Sequence, residues 1–127
     1  MQPETAEWGQ IAEEDFETAS REQGVAGKPN FAAVCFHAQQ SEKYLKALLV
    51  ERNAYFPKTH NLVMLAKRLE RAKIDLAPVN EELQRLSPFG IDVRYPGGRP
   101  NAGAAKQALA DCTSIRSLLR RLLQLPE

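Results

Sequence analysis

Toward the C-terminus, Ala105, Ala108, Cys112, Ile115, Leu119 and Leu122 recur at alternating spacings of three and four residues. This is the seam of a helix that packs lengthwise against other helices, and its small early members permit close approach. A chain built around such a seam needs further amphipathic helices to cover it, and the sequence supplies them. Pro3 to Arg21 carries Trp8, Ile11, Ala12, Phe16 and Ala19 on one stripe, and Gly24, Gly27 and Pro29 then break the pattern. From Phe31 to about Asn53, one long helix is expected behind Asn30 as N-cap, with Phe31, Val34, Cys35, Ala38, Leu45 and Leu49 as its main stripe. Ala33, Phe36, Tyr44 and Ala47 gather around Gln40 on its other side, so this helix should be central to the fold or to an oligomer interface.

A third helix is expected to carry Leu62, Leu65, Ala66 and Leu69 behind a cap at Thr59 or Asn61. A short fourth follows Pro78 with Val79, Leu83 and Leu86 and stops at Ser87-Pro88. The stretch SPFGIDVRYPGGRPNAG then reads as one long loop before a final helix over about Asn101 to Leu125. No strand-like alternation or internal repeat is found. The expectation is an all-α fold, an antiparallel up-and-down bundle of four to five helices, with residues 1–127 forming a single domain.

Charge and composition mostly exclude. Seventeen Lys and Arg against sixteen Asp and Glu leave a formal net charge of +1, so any anionic partner must be attracted by a local patch. No apolar run reaches the ~20 residues of a membrane span, and the start MQPETAEWGQ has no signal-peptide pattern. Cys35 and Cys112 have no metal-ligand neighbours and read as buried, reduced thiols, which points to the cytoplasm; a single disulfide between them is the alternative. No metal or cofactor is expected.

Candidate chemistry lies in three places. In HAQQSEKYLKALL, helical geometry brings Gln39, Lys43 and Lys46 to one strip beside Gln40, with Glu42 at the edge of the apolar stripe. Two ammonium groups there can bind a phosphate, or the strip is a solvated face. Glu42 is expected to be paired, because a carboxylate beside apolar side chains is costly alone. His60, in KTHNL at a helix start, can cap the helix, bind phosphate or act as acid or base, whereas His37 reads as structural. In DVRYPGGRPN, Arg94, Tyr95 and Arg99 suit phosphate and base recognition; alternatively Tyr95 packs on the core and Arg94 pairs with a carboxylate such as Glu42.

Taken in order, NFAAVCFHAQQSEKYLKALL, KTHNL and VRYP, followed by a helical tail, resemble the HEPN domain, the small helical domain of higher eukaryotes and prokaryotes. The resemblance spans nearly the whole chain, from the helix around Trp8 to Leu123. It implies a bundle that pairs with itself as a homodimer or higher homo-oligomer, with a groove for nucleotide or RNA near the interface. It also implies, as partner, a minimal nucleotidyltransferase in a toxin–antitoxin pair. Active members cleave RNA without metal, using an arginine followed after four to six residues by a histidine. Here the positions after Arg94 with that gap hold Arg99, Pro100 and Asn101, and neither His37 nor His60 has the required upstream arginine. Arginine cannot serve as a base at neutral pH. The leading expectation is therefore a binding module presenting Lys43, Lys46, His60, Arg94, Tyr95 and Arg99, with Gln40 and Glu42 structural or orienting. An RNA-cleaving toxin using Arg94 and His60, and a purely structural assembly subunit, are the alternatives.

Overall fold

In the computed structural model, residues 1–90 and 96–127 are described. Six α-helical stretches run in the order α1 (Pro3–Gln23), α2 (Phe31–Gln39), α3 (Glu42–Glu51), α4 (Leu62–Arg71), α5 (Asn80–Leu86) and α6 (Ala102–Leu122). Short 3₁₀ turns at Ala77–Val79 and Ser87–Gly90 flank α5, and no strand occurs among the described residues. The protein is thus an all-helical bundle. Three helices start on an asparagine whose side chain accepts a backbone N–H three residues on: Asn30 from Ala33, Asn61 from Met64 and Asn101 from Ala104.

The helix expected over Phe31 to Asn53 is interrupted. At Gln40 and Ser41 the backbone ψ angles open to 0° and −13°. Hydrogen bonds there span three residues: Ser41 N–H to Ala38 O (3.1 Å), Lys43 N–H to Gln40 O (3.1 Å) and Tyr44 N–H to Ser41 O (2.9 Å). Counting α2 and α3 as one interrupted helix gives five helical segments. Two further boundaries depart from the sequence reading. The chain continues helically past Ser87 as a 3₁₀ turn, because Pro88 at its second position needs no N–H partner. The last helix ends at Leu122 rather than Leu125.

Packing follows the seam. α1 lies against α2 and α3, α2 and α5 lie against α6, and α4 lies against α3. Ala105, Ala108, Cys112, Ile115 and Leu119 of α6 are buried, as are Val34, Cys35, Ala38, Tyr44, Leu45, Ala47 and Leu49 of α2–α3. Both apolar sides of the interrupted helix are therefore largely covered within the chain. In α1 the buried positions are Thr5, Gly9, Ala12 and Ala19, with Trp8 and Phe16 packed at the edge, whereas Ile11 is exposed. Ile11 falls outside because Thr5, Ala12 and Ala19 repeat every seven residues and set the contact line one residue away.

α3, α4 and α6 end alike. Ala54, Ile74 and Leu125 each donate their N–H to a carbonyl five residues back, at 2.9, 3.1 and 2.8 Å. The residue before each, Asn53, Lys73 or Gln124, has a positive φ of 54°, 69° or 61°. Asn53, Lys73 and Gln124 thus take the left-handed place that glycine usually fills, and an apolar residue follows each.

Carboxylates of α1 clamp it to its neighbours. Glu13 receives Arg116 Nη2 at 2.6 Å and Nε at 2.8 Å, together with the Tyr44 hydroxyl, while Arg120 Nη1 donates to that hydroxyl at 3.0 Å. Burial raises the Glu13 carboxyl, but Arg116, Tyr44 and Arg120 outweigh it and hold the group below its ordinary value. Asp15 accepts Lys43 Nζ and His37 Nδ1, each at 2.7 Å. His37 is thus a structural partner, as read from sequence.

Because Glu13 is held low when folded, its contribution is present above the ordinary carboxylate range and is lost as pH falls through the folded value. Arg116→Met should therefore lower the unfolding free energy by about 2 kcal/mol at neutral pH, and the two proteins should converge in acid, as read by urea denaturation across pH.

Candidate functional site

The interruption between α2 and α3 turns three side chains inward. Gln39, Gln40 and Glu42 are all buried there, although each is polar. Gln39 Nε2 donates to His60 O at 2.5 Å and to Ser87 O at 3.2 Å, and Gln40 Nε2 donates to Gln39 Oε1 at 3.1 Å. One carboxamide thus holds both the approach to α4 and the turn after α5. The Ser87 hydroxyl adds a second tie by accepting Leu62 N–H at 3.0 Å. Gly90 is required at this point for close approach, since a Cβ there would lie 2.9 Å from Gln39 Cδ and Nε2.

This scaffold fixes His60 over Glu42. The His60 Nδ1 lies 2.5 Å from Glu42 Oε1; the histidine side chain is 56% exposed and that of the glutamate 1%. With Nδ1 committed, Nε2 is the nitrogen left for an external group. The second Glu42 oxygen stands 3.7 Å from Lys46 Nζ and has no hydrogen-bond partner among the described residues. Burial raises the Glu42 carboxyl above its ordinary value, against the opposing pull of His60, Lys46 and Lys43. Lys46 is itself buried and lies 5.3 Å from the centre of the Trp8 ring, which meets Phe56 edge-on at 6.5 Å.

The residues singled out from the sequence do not converge on one spot. Glu42, Lys46 and His60 come together, with Gln40 one hydrogen bond away through Gln39. Lys43 turns to Asp15 and Lys46 to Glu42, so the two ammonium groups are neutralised separately rather than sharing an open strip. Arg99 lies with Lys28, Asn30, Phe31 and Pro100 around a cleft of about 370 Å³ at the start of α2. The helix rise sets Phe31 about 12 Å from Gln39 along the axis, so this cleft is separate from His60. Arg94 and Tyr95 lie outside the described residues. Gly90 and Trp8 carried no functional signal in the sequence, and Gln39 was read there only as a member of the Lys43–Lys46 strip rather than as the tie between connections.

Neither cysteine supplies a nucleophile: burial pushes the Cys35 thiol up to about 11 and the Cys112 thiol up to about 12, and both are free. Among the described residues no cluster of His, Cys, Asp and Glu is arranged to hold a metal ion, and no helix is long and apolar enough to cross a membrane.

A profile of the HEPN domain matches residues 5–122. The chain belongs to the HEPN domain family. The crystal structure of TT1696 from Thermus thermophilus is similar to this HEPN chain with a TM-score of 0.80 and 22% identity, covering 94% of this chain and 98% of that one. A likeness at that identity speaks to fold alone. A sequence search of curated proteins gave no match.

Two outcomes follow for this HEPN bundle. With its Glu42 carboxyl held high, the folded state binds a proton more tightly than the unfolded chain. Stability conferred at low pH is therefore lost as pH rises from the ordinary carboxylate range through the elevated folded value. Glu42→Gln lacks that loss, so its stability relative to wild type should climb across the same window in urea titrations; a flat difference would mean that His60 and Lys46 offset burial completely. Gly90→Ala should displace the Gln39 carboxamide from its two carbonyls and cost about 1–3 kcal/mol, measured the same way.

Proposed function

We propose that this HEPN chain is a nucleotide- or RNA-binding module, a single domain over residues 1–127 that self-associates in the cytoplasm and serves a minimal nucleotidyltransferase in a toxin–antitoxin-like pair. The observation that carries the binding part is the exposed His60 imidazole held against buried Glu42. A fixed imidazole meets a phosphate oxygen with little loss of side-chain freedom on binding, and Arg94, Tyr95 and Arg99 are the groups proposed to complete recognition. Lys43 and Lys46 contribute indirectly, by orienting Asp15 and Glu42. Self-association rests on the family's habit of pairing, since the two-sided α2–α3 face is largely covered within the chain.

A second reading, metal-independent RNA cleavage, is favoured by the same pair. A carboxylate behind an exposed imidazole is the arrangement that general acid–base chemistry uses, the carboxylate fixing which nitrogen faces the reacting group. Against it, the chain lacks the family's arginine-to-histidine spacing after Arg94.

Incubation of wild type, His60→Ala and Arg94→Ala with single-stranded and structured RNA in EDTA separates the two readings. Retention without cleavage, weakened roughly tenfold by loss of either contact, is expected for the binding module. Cleavage lost in both variants would replace it with the ribonuclease reading, and neither signal with RNA or with nucleotides would refute both. A monomer by light scattering at micromolar concentration would refute self-association.

A further inference from the structure

The surface at the far end of α4 is built unlike the rest of the molecule. Residues 52–73 contain six cations, Arg52, Lys58, Lys67, Arg68, Arg71 and Lys73, and one acid, Glu70. Among the described residues none of the six forms an ion pair, whereas Lys43, Lys46, Arg85, Arg116, Arg120 and Arg121 of the neighbouring helices are each paired with a carboxylate. A chain of net charge +1 therefore keeps a local excess of positive charge here.

Within this surface Tyr55 is 75% exposed, although a large aromatic ring in water is normally withdrawn. The Arg68 guanidinium stands 5.9 Å from the centre of its ring. Tyr55, Arg68 and Arg71, with Ala54 and Ala72, line a shallow cleft of about 250 Å³. Along α4, Met64, Lys67 and Arg71 share one strip at spacings of three and four residues, and all three are exposed. The strip begins beside His60, so the cleft and the imidazole stand at opposite ends of one helix, about 15 Å apart by the helix rise.

We infer that this surface is a second contact site for single-stranded RNA, in which Tyr55 stacks a base, Arg68 and Arg71 fork onto adjacent phosphates, and the strand continues along α4 toward His60. This deepens the RNA-binding reading above and rests on it. Stacking on an exposed aromatic ring beside guanidinium groups is how proteins hold unpaired bases without reading their sequence. An acidic protein surface, such as the exposed Glu4, Glu7, Glu14 and Glu17 of α1 on a second copy, would answer the charge but leave the bare ring and its cleft without a role.

The test is fluorescence anisotropy of a labelled mixed-sequence oligoribonucleotide, at two salt concentrations, with wild type, Tyr55→Ala, Tyr55→Trp and the double variant Arg68→Ala/Arg71→Ala. Tyr55 and Arg71 are exposed and Arg68 is half-buried, and circular dichroism checks that the bundle persists. Tyr55→Ala should weaken binding about tenfold and Tyr55→Trp restore it, the signature of stacking. The double arginine variant should bind about tenfold more weakly with a shallower salt dependence. Binding that falls with His60→Ala but is untouched by these variants overturns the second site and leaves the RNA reading standing. No binding by wild type overturns both. Self-association abolished by the arginine pair, with RNA affinity unchanged, assigns the surface to a second copy instead and likewise overturns the inference.

Discussion

The geometry around His60 depends on one carboxamide. Gln39 sits where α2 gives way to α3, and its Nε2 reaches the carbonyls of His60 and Ser87, which belong to two different connections. A buried amide without those partners would cost about 1–3 kcal/mol, so the backbone of both connections is drawn to it. The three-residue hydrogen bonds at Ser41, Lys43 and Tyr44 tighten the helix over the same stretch. Glu42 then starts α3 inside the bundle, beneath His60 and beside Lys46. Gly90 completes the arrangement by leaving room for the amide.

The seam of α6, the asparagine caps and the helical class were legible in the sequence because each is a local signal with a fixed period or offset. The break in the long helix was not. Gln and Ser tolerate helical backbone, and what breaks the helix at Gln40 is the pull of carbonyls distant in sequence, which no window of residues contains. The pairing of Glu42 followed from its position beside apolar residues, but its partner did not, since His60 is brought there by the α3–α4 connection. Lys43 and Lys46 share a strip on a regular helix, and they diverge because Asp15 on α1 and Glu42 on their own helix draw them apart. For Arg94 and Tyr95 only the sequence speaks, as both lie outside the described residues.

Charge in this bundle is sorted rather than scattered. Carboxylates of α1 face inward to hold α2, α3 and α6, through Asp15 with His37 and Lys43 and through Glu13 with Arg116 and Arg120. Asp111 of α6, nearly buried, does the same for α5 by accepting Arg85 at 2.8 and 3.1 Å. Each of these pairs neutralises a cation against a carboxylate. Among the described residues, unpaired positive charge available to a partner remains near Tyr55 and around Arg99. A nearly neutral protein can in this way carry a directional field.

The ends of α3, α4 and α6 carry one further consequence. Asn53, Lys73 and Gln124 occupy left-handed backbone that glycine adopts freely and that costs other residues about 1 kcal/mol each. The chain thus holds back a reserve of attainable robustness, and Gln124→Gly, at the exposed end of α6, is where an engineer seeking a hardier scaffold would begin.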